Sequence, residues 1–297
     1  MSILKVRDLE KSYKKGFIPK SQKVLKGVNF TIEAGKITGF LGGNGAGKTT
    51  TMKCLLGLAF PDSGIIEYFG GKPLDSEVKK KIGFLPERPY FYDYLTGEEF
   101  LKFYGKVSQS VGNKELLYRI DDLLKRVDLE HARHKQLKDY SKGMLQKIGL
   151  AQALIHKPSF VILDEPMAGL DPDGRYYLSE LINETAKNGT SIFLSSHLLN
   201  DVEKLCENLV ILNDGKVAYE GTTRDLIKGM STKVKIFYLV NGEVQSKECA
   251  KGSELQKEID GLRAEGREIL SITEKTFSLE KAFIDMAMKA AGKEVSH

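Results

Sequence analysis

The residues with the most chemical content in this 297-residue chain are the run Gly42-Gly43-Asn44-Gly45-Ala46-Gly47-Lys48-Thr49-Thr50. From Gly42 to Thr49 it fits the pattern G-x-x-x-x-G-K-[ST], a phosphate-binding loop. Its glycines let successive backbone N–H groups turn inward around an anion, and the helix after it adds its positive dipole end. In such a loop Lys48 reaches the β- and γ-phosphates and the Thr49 hydroxyl is a ligand of Mg²⁺. The plain alternative is a glycine-rich turn that matches by chance. The flanks argue against it: Ile37-Thr38-Gly39-Phe40-Leu41 reads as a buried strand, and Thr49 to Leu58 as a helix.

Two further stretches have a matching layout. Phe160-Val161-Ile162-Leu163 is a continuous apolar strand followed by Asp164-Glu165-Pro166. Such a strand suits a parallel sheet covered on both faces, and it delivers two carboxylates at the carboxyl end, where ligands bind. Ser191-Ile192-Phe193-Leu194-Ser195-Ser196 leads in the same way to His197. A lone histidine is ordinarily a surface or capping residue, but at this sheet edge it stands where a γ-phosphate would lie. Ser141 precedes Lys142-Gly143-Met144 and an amphipathic helix through Ile155, a position that capping alone would justify.

The elements that hold these groups can be read from periodicity. Leu4 to Ile32 tends to alternate and predicts short antiparallel strands, with a turn at Ala34-Gly35. Within them Tyr13 sits in Lys11-Ser12-Tyr13-Lys14-Lys15, where an exposed ring could stack on a nucleobase or be a simple surface tyrosine. After Pro61-Asp62-Ser63-Gly64 comes a strand, Ile65 to Phe69, and Ile82-Gly83-Phe84-Leu85-Pro86-Glu87 predicts another. From about residue 88 to 157 the pattern is helical, as in a subdomain inserted between core strands. Thr96-Gly97-Glu98-Glu99 is a capping box, and Leu116, Leu117, Ile120, Leu123, Leu124 and Val127 form one apolar face. Tyr90, Phe91, Tyr92 and Tyr94 suit a docking surface or packing under the helices equally. Gly169-Leu170-Asp171-Pro172 opens a helix to about Lys187, and Asn213-Asp214-Gly215 marks a hairpin. Beyond Met230 the sequence predicts a hairpin at Asn241-Gly242, a helix opened by Ser253-Glu254-Leu255-Gln256, a strand near Ile269 to Ile272, and a last helix. Leu279, Phe283, Met286 and Ala290 share a face of that helix, and Gly292 stops it. Regulation, dimer contact and structural capping are all open roles for this appendix.

Bulk properties narrow the class. A chain of this length can bury about three quarters of its unfolded surface, enough for one large domain and a small one. Cys54, Cys206 and Cys249 are scattered and odd in number, which suits a reducing, cytosolic setting. The start lacks the apolar core of a signal peptide, and no run approaches the roughly 18 to 20 apolar residues of a membrane span. Any membrane role must come through a partner. The formal charge of +5 is modest and interspersed, so nucleic acid is not an expected partner.

Taken in order, the motifs resemble those of ABC-type ATPases, the nucleotide-binding subunits of transporters, over residues 3 to 228. The resemblance implies an α/β fold: a P-loop NTPase core with a mostly parallel sheet, an N-terminal antiparallel β subdomain, an inserted helical subdomain and a small C-terminal α+β domain. It divides the chain into an ATP-binding domain, 1–229, and an accessory domain, 230–297. By position, Gly42 to Thr50 is the Walker A loop and Phe160 to Glu165 the Walker B segment. Tyr140-Ser141-Lys142-Gly143-Met144 takes the place of the signature Leu-Ser-Gly-Gly-Gln, Asp171 falls in the D-loop, His197 is the switch histidine, and Tyr13 is the adenine-stacking aromatic. The cofactors implied are ATP and Mg²⁺, the metal shell drawing on Thr49, Asp164 and Glu87, with Glu165 as the catalytic base. Glu87 stands where the family usually has glutamine, Lys142 where it has glycine, and Met144 where it has glutamine.

The implied partners are a second ATP-binding subunit, identical or not, and transmembrane permease subunits on the cytoplasmic face of the cell membrane. Ser141 and Gly143 of one copy would contact the γ-phosphate held by Lys48 of the other. Glu87 and the appended C-terminal domain look most like exporters of the multidrug, antibiotic or lipid type. The rival is a soluble ABC ATPase acting on ribosomes or DNA, whose usual second cassette or long coiled coil is missing from this sequence. A GTPase would need N-K-x-D, and the nearest match, Asn113-Lys114-Glu115-Leu116, ends in leucine. A non-hydrolysing regulatory subunit would be expected to lack Glu165.

Overall fold

The computed structural model describes residues 1–15, 20–108, 112–230, 233–274 and 278–290. The chain divides into two compact units, Met1–Glu220 and Gly221–His297.

The first unit opens with two long strands, β1 (Ser2–Lys15) and β2 (Lys20–Glu33), paired antiparallel. The sequence predicts short strands here; alternation interrupted at Asp8 and Gly27 reads as several pieces. Bulges in the β1–β2 register absorb those interruptions and let each strand run through. Next come β3 (Ile37–Gly42), α1 (Lys48–Leu55), β4 (Ser63–Tyr68), the short α2 (Ser76–Lys79) and β5 (Ile82–Leu85). α1 stops at Leu55, short of the expected Leu58, because Gly57 takes a φ of 67°; Leu58 and Phe60 are left exposed. β4 pairs with β1 to complete a three-stranded antiparallel sheet.

The helical stretch contains α3 (Gly97–Val107), α4 (Asn113–Arg126) and α5 (Lys142–Leu154). α3 starts at the expected capping box, with Glu99 N–H donating to Thr96 Oγ1 and Thr96 N–H to the Glu99 carboxylate. On α4 the predicted stripe buries Leu116, Ile120, Leu123 and Leu124, each contributing about 1.5–3 kcal/mol by removal from water. Leu117 does not belong to that stripe: it is 39% exposed, one residue round the helix from Leu116.

The chain then re-enters the core as β6 (Phe160–Asp164), α6 (Pro172–Lys187), β7 (Ser191–Ser195), α7 (Leu199–Leu205), β8 (Asn208–Asn213) and β9 (Lys216–Thr222). The main sheet runs β5-β6-β7-β3-β8-β9, with β5 through β8 mutually parallel. β6 and β7 are buried at every position, as their unbroken apolar runs require. Asp214 and Gly215, at φ 44° and 75°, form the two-residue turn between β8 and β9. Phe30 of β2 stacks on Phe40 of β3 and Phe193 of β7, with centroids 5.9 and 5.8 Å away. Those rings join the antiparallel sheet to the parallel one.

The second unit comprises α8 (Thr223–Met230), β10 (Lys233–Val240), β11 (Glu243–Ala250), α9 (Ser253–Ala264), β12 (Glu268–Glu274) and α10 (Leu279–Ala290). Its antiparallel sheet has the order β11-β10-β12, and its core gathers Val234, Ile236, Cys249 and Leu262. Asn241 and Gly242, both at positive φ, make the expected hairpin turn. Ser253 is the first residue of α9 and not its cap; Gly252 holds that place and offers no side-chain bond. Leu279 is buried, while the side chains of Met286 and Ala290, and Gly292 altogether, lie outside the described residues.

Candidate functional site

The strand order explains why three distant segments meet. β6, β7 and β3 are successive neighbours in one parallel sheet, so their carboxyl ends lie in a row. Asp164 pairs with Ser195, and Ser195 with Phe40, in register across the three strands. The residues just beyond each strand therefore converge: the glycine loop after β3, Glu165 after β6, His197 after β7.

The loop has the shape its glycines permit. A Cβ on Gly42 would stand 2.6 Å from the Leu212 carbonyl oxygen. Gly47 has a φ of 110°, a conformation costly for any L side chain, and caps α1 without a side chain of its own. No capping side chain therefore occupies the start of α1, which leaves its first N–H groups available to an anion. Lys48 lies back along the loop, its Nζ donating to the carbonyl oxygens of Gly42 (2.5 Å) and Gly43 (3.4 Å). Behind the loop, Gly215 N–H donates to Ala46 O at 3.0 Å, and Ala46 itself is buried.

Across from Lys48 stand the carboxylates. Asp164 is buried, and Ser195 Oγ donates to its Oδ1 at 2.6 Å. Burial pushes the Asp164 carboxyl above its ordinary range; the Ser195 hydrogen bond and Lys48 oppose this, while Glu165 and Glu87 add to it. Glu165 adopts a left-handed backbone at φ 51°, with its N–H donating to Ser195 Oγ at 2.9 Å. Its Oε2 accepts the His197 N–H at 3.2 Å and lies 2.7 Å from His197 Nδ1. A carboxylate can only accept, so the Nδ1 contact is a hydrogen bond in the tautomer that has its proton on Nδ1. Glu165 is largely enclosed and His197 mostly open, their side chains 13% and 64% exposed.

A cleft of about 460 Å³ collects Asn44, Gly45, Gly47, Lys48, Thr49, Thr50, Glu87, Asp164, Glu165 and His197. That size is in the range of small-molecule sites. Gln22, Val24 and Ala168 also line it. Sequence reasoning misses Gln22 and Val24, which reach the cleft through the β1–β2 register and carry no local signal. It misses Ser195 too, although a polar residue closing the apolar run Ile192-Phe193-Leu194 is a visible sign. Tyr13 is exposed, lies opposite Gln22 in that register with Lys11 Nζ 5.5 Å from its ring centroid, and does not line the cleft.

Ser141, Gly143 and Asp171 lie elsewhere, lining a separate depression of about 510 Å³ with Lys142, Met144 and Tyr177. Ser141 Oγ accepts the Met144 N–H at 3.2 Å and Asp171 Oδ1 the Gly174 N–H at 2.9 Å, so each caps a helix. Gly143 has no positive φ, and a Cβ there would meet only ordinary contacts, Leu170 at 3.6 Å and Ser141 at 3.9 Å. Nothing within the described part of the chain requires glycine at that position.

The donor set suits a magnesium polyphosphate. Among the described residues, no three His, Cys, Asp or Glu side chains gather to hold a metal alone. Thr49, Asp164 and Glu87 offer a few hard oxygens in the same cleft, which is how Mg²⁺ is held when phosphates complete its shell. No described helix is long and apolar enough to cross a membrane.

Comparison with known proteins agrees with this geometry. The family model described as "ABC transporter" matches residues 25–168. An uncharacterized ABC transporter ATP-binding protein of Nostoc is 38% identical over 97% of this chain and 90% of its own length. The bacitracin transport ATP-binding protein BcrA of Bacillus licheniformis is 41% identical over 74% of this chain and 69% of its own. A solved ATP-binding subunit of an ABC transporter superposes with a TM-score of 0.69 at 31% identity, covering 88% of this chain and all of that one. A phosphate loop facing two carboxylates and a histidine, on a fold matched along most of its length by such relatives, makes this chain an ATPase belonging to the family of ABC transporter ATP-binding proteins.

Proposed function

We propose that the chain is the energy-coupling subunit of an exporter, hydrolysing MgATP in a head-to-tail dimer on the cytoplasmic face of the membrane, bound to separate permease subunits. The observation that carries the dimer is the split between the two depressions. Lys48, Asp164, Glu165 and His197 share one, while Ser141, Gly143 and Asp171 share the other. A glycine with no intrachain reason at position 143 fits close approach by a second copy. Residues 1–229 form the ATP-binding part in this reading and 230–297 an accessory part.

ATP is the substrate. Gly42 to Thr50 cradle its phosphates, Lys48 neutralises charge on the β- and γ-phosphates, and Tyr13 stacks on the adenine. Thr49, Asp164 and Glu87 would hold Mg²⁺, which supplies neutralisation of phosphate charge when bound. Glu165 takes a proton from the attacking water as its oxygen bonds to the γ-phosphorus and the bond to the β-phosphate oxygen breaks. His197 contacts the γ-phosphate, and Ser141 and Gly143 of the second copy close over it, which makes closure depend on that phosphate. The bacitracin transporter relative favours export of an antibiotic-like or lipid-like compound.

Two measurements test this. Lys48→Ala is expected to lose ATP affinity, and unchanged binding would refute the cradle. A permease-type membrane protein should co-purify with the tagged chain from native membranes; co-purification with ribosomes instead would overturn the transporter assignment.

A further inference from the structure

Ser195 has a position that the ATPase assignment does not by itself explain. It ends β7, is fully buried, and uses both capacities of its hydroxyl on the Walker B pair. The proton goes to Asp164 Oδ1 at 2.6 Å, and the oxygen accepts the Glu165 N–H at 2.9 Å. One atom thus ties together the residue read as a metal ligand and the residue read as the base. The Glu165 backbone sits at a φ of 51°, a conformation that a non-glycine residue holds only when its surroundings impose it. The Ser195 hydroxyl is an imposed contact of that kind, made on the very peptide N–H that the turn must orient.

Resting on the MgATP reading of the cleft, we propose that Ser195 is a positioning residue for the reaction. Its hydroxyl commits Oδ1 of Asp164, leaving Oδ2 for the metal, and holds the Glu165 turn so that its carboxylate faces the same cleft. A buried serine at a strand end can also be only structural, and this strand supplies the comparison. Ser191, at the other end of β7, is equally buried, and its Oγ accepts the Gly35 N–H at 2.8 Å, a turn amide with no part in the site.

The test uses the full chain and two binding readouts: ATP affinity in EDTA, and Mn²⁺ affinity of the ATP-bound protein from free-Mn²⁺ electron paramagnetic resonance. Ser195→Ala should weaken Mn²⁺ binding by about 10- to 100-fold while ATP affinity in EDTA changes by less than about 3-fold, as for loss of an outer-shell partner. Ser191→Ala should leave both unchanged even where it lowers the melting temperature. If the alanine variant does not fold, Ser195→Cys keeps the side-chain shape with a slightly larger atom and replaces the hydroxyl by a weak donor, and the same Mn²⁺ loss is expected. Wild-type Mn²⁺ affinity in either folded Ser195 variant, or an equal loss in Ser191→Ala, overturns the proposal. A wild-type protein that binds no ATP in EDTA or with Mn²⁺ would refute the reading of the cleft itself.

Discussion

Replacing Glu165 by glutamine isolates its basicity from its place in the structure. The side chain is largely enclosed, and Oε2 holds two hydrogen bonds, to His197 N–H at 3.2 Å and to Nδ1 at 2.7 Å. An amide oxygen occupies the same position and accepts both, so the local fold survives; trading a charged acceptor for a neutral one costs about 1–2 kcal/mol at most. What the amide cannot do at neutral pH is take a proton from water. A positioned general base contributes about 10²- to 10⁴-fold, so turnover should fall by that factor, or about 2.7–5.4 kcal/mol in the barrier. Phosphate release at saturating MgATP measures it, alongside ATP affinity, which should persist. The variant should also accumulate as an ATP-dependent dimer by size-exclusion chromatography, since closure no longer leads to hydrolysis. Turnover within about 5-fold of wild type would refute the base assignment, because a positioned base typically contributes at least about 10²-fold.

Gly143→Ala should fold as well as wild type, or be slightly more stable by up to about 1 kcal/mol for alanine over glycine in a helix. It should nonetheless abolish the ATP-dependent dimer of the Glu165→Gln subunit, and normal dimerisation would sink the composite site. His156 predicts a pH effect on stability: burial holds its imidazole below the ordinary value of 6.5, an effect that Arg119 reinforces and the Ile82 carbonyl, 3.1 Å from Nε2, opposes. The unfolded chain therefore binds the proton first, and the contribution is lost as pH falls through 6.5 toward the lower folded value. Melting temperature should decline over that window more in wild type than in His156→Gln, and parallel curves would refute it.

Much of this is legible in the chain because the site is made of strand ends. A buried parallel strand announces itself as an unbroken apolar run, so Phe160 to Leu163 and Ile192 to Leu194 locate Asp164, Glu165 and His197 without long-range information. Turns with a required φ are equally plain, as at Asp214-Gly215 and Asn241-Gly242. The hidden features depend on register and on facing. Gln22 enters the cleft through pairing bulges in β1 and β2 that no local pattern encodes. Leu117 has the composition of its buried neighbours and the wrong angle, and Ser253 looks like a cap where Gly252 is one. The separation of Ser141 and Gly143 from Lys48 within a single copy is not among the hidden features: the resemblance already assigns them to a second copy, and the fold keeps them, with Asp171, in a different depression.

The hairpin at Asp214 and Gly215 has a wider reach than a surface turn. Gly215 N–H donates to Ala46 O, its carbonyl accepts the Lys26 N–H at 2.8 Å, and Asp214 pairs with Lys26 Nζ at 2.6 Å. A side chain at 215 would collide with the Val24 carbonyl. The turn is therefore a keystone wedged between the back of the phosphate loop and β2, the strand that carries Gln22 and Val24 into the cleft. Two walls of one cleft are fixed by a dipeptide that lies about 170 positions further along the chain, lines none of the cleft, and comes late in chain order. Because β8 and β9 come after every other strand of the main sheet, the rear support of the phosphate loop is supplied by the part of that sheet that is synthesised last.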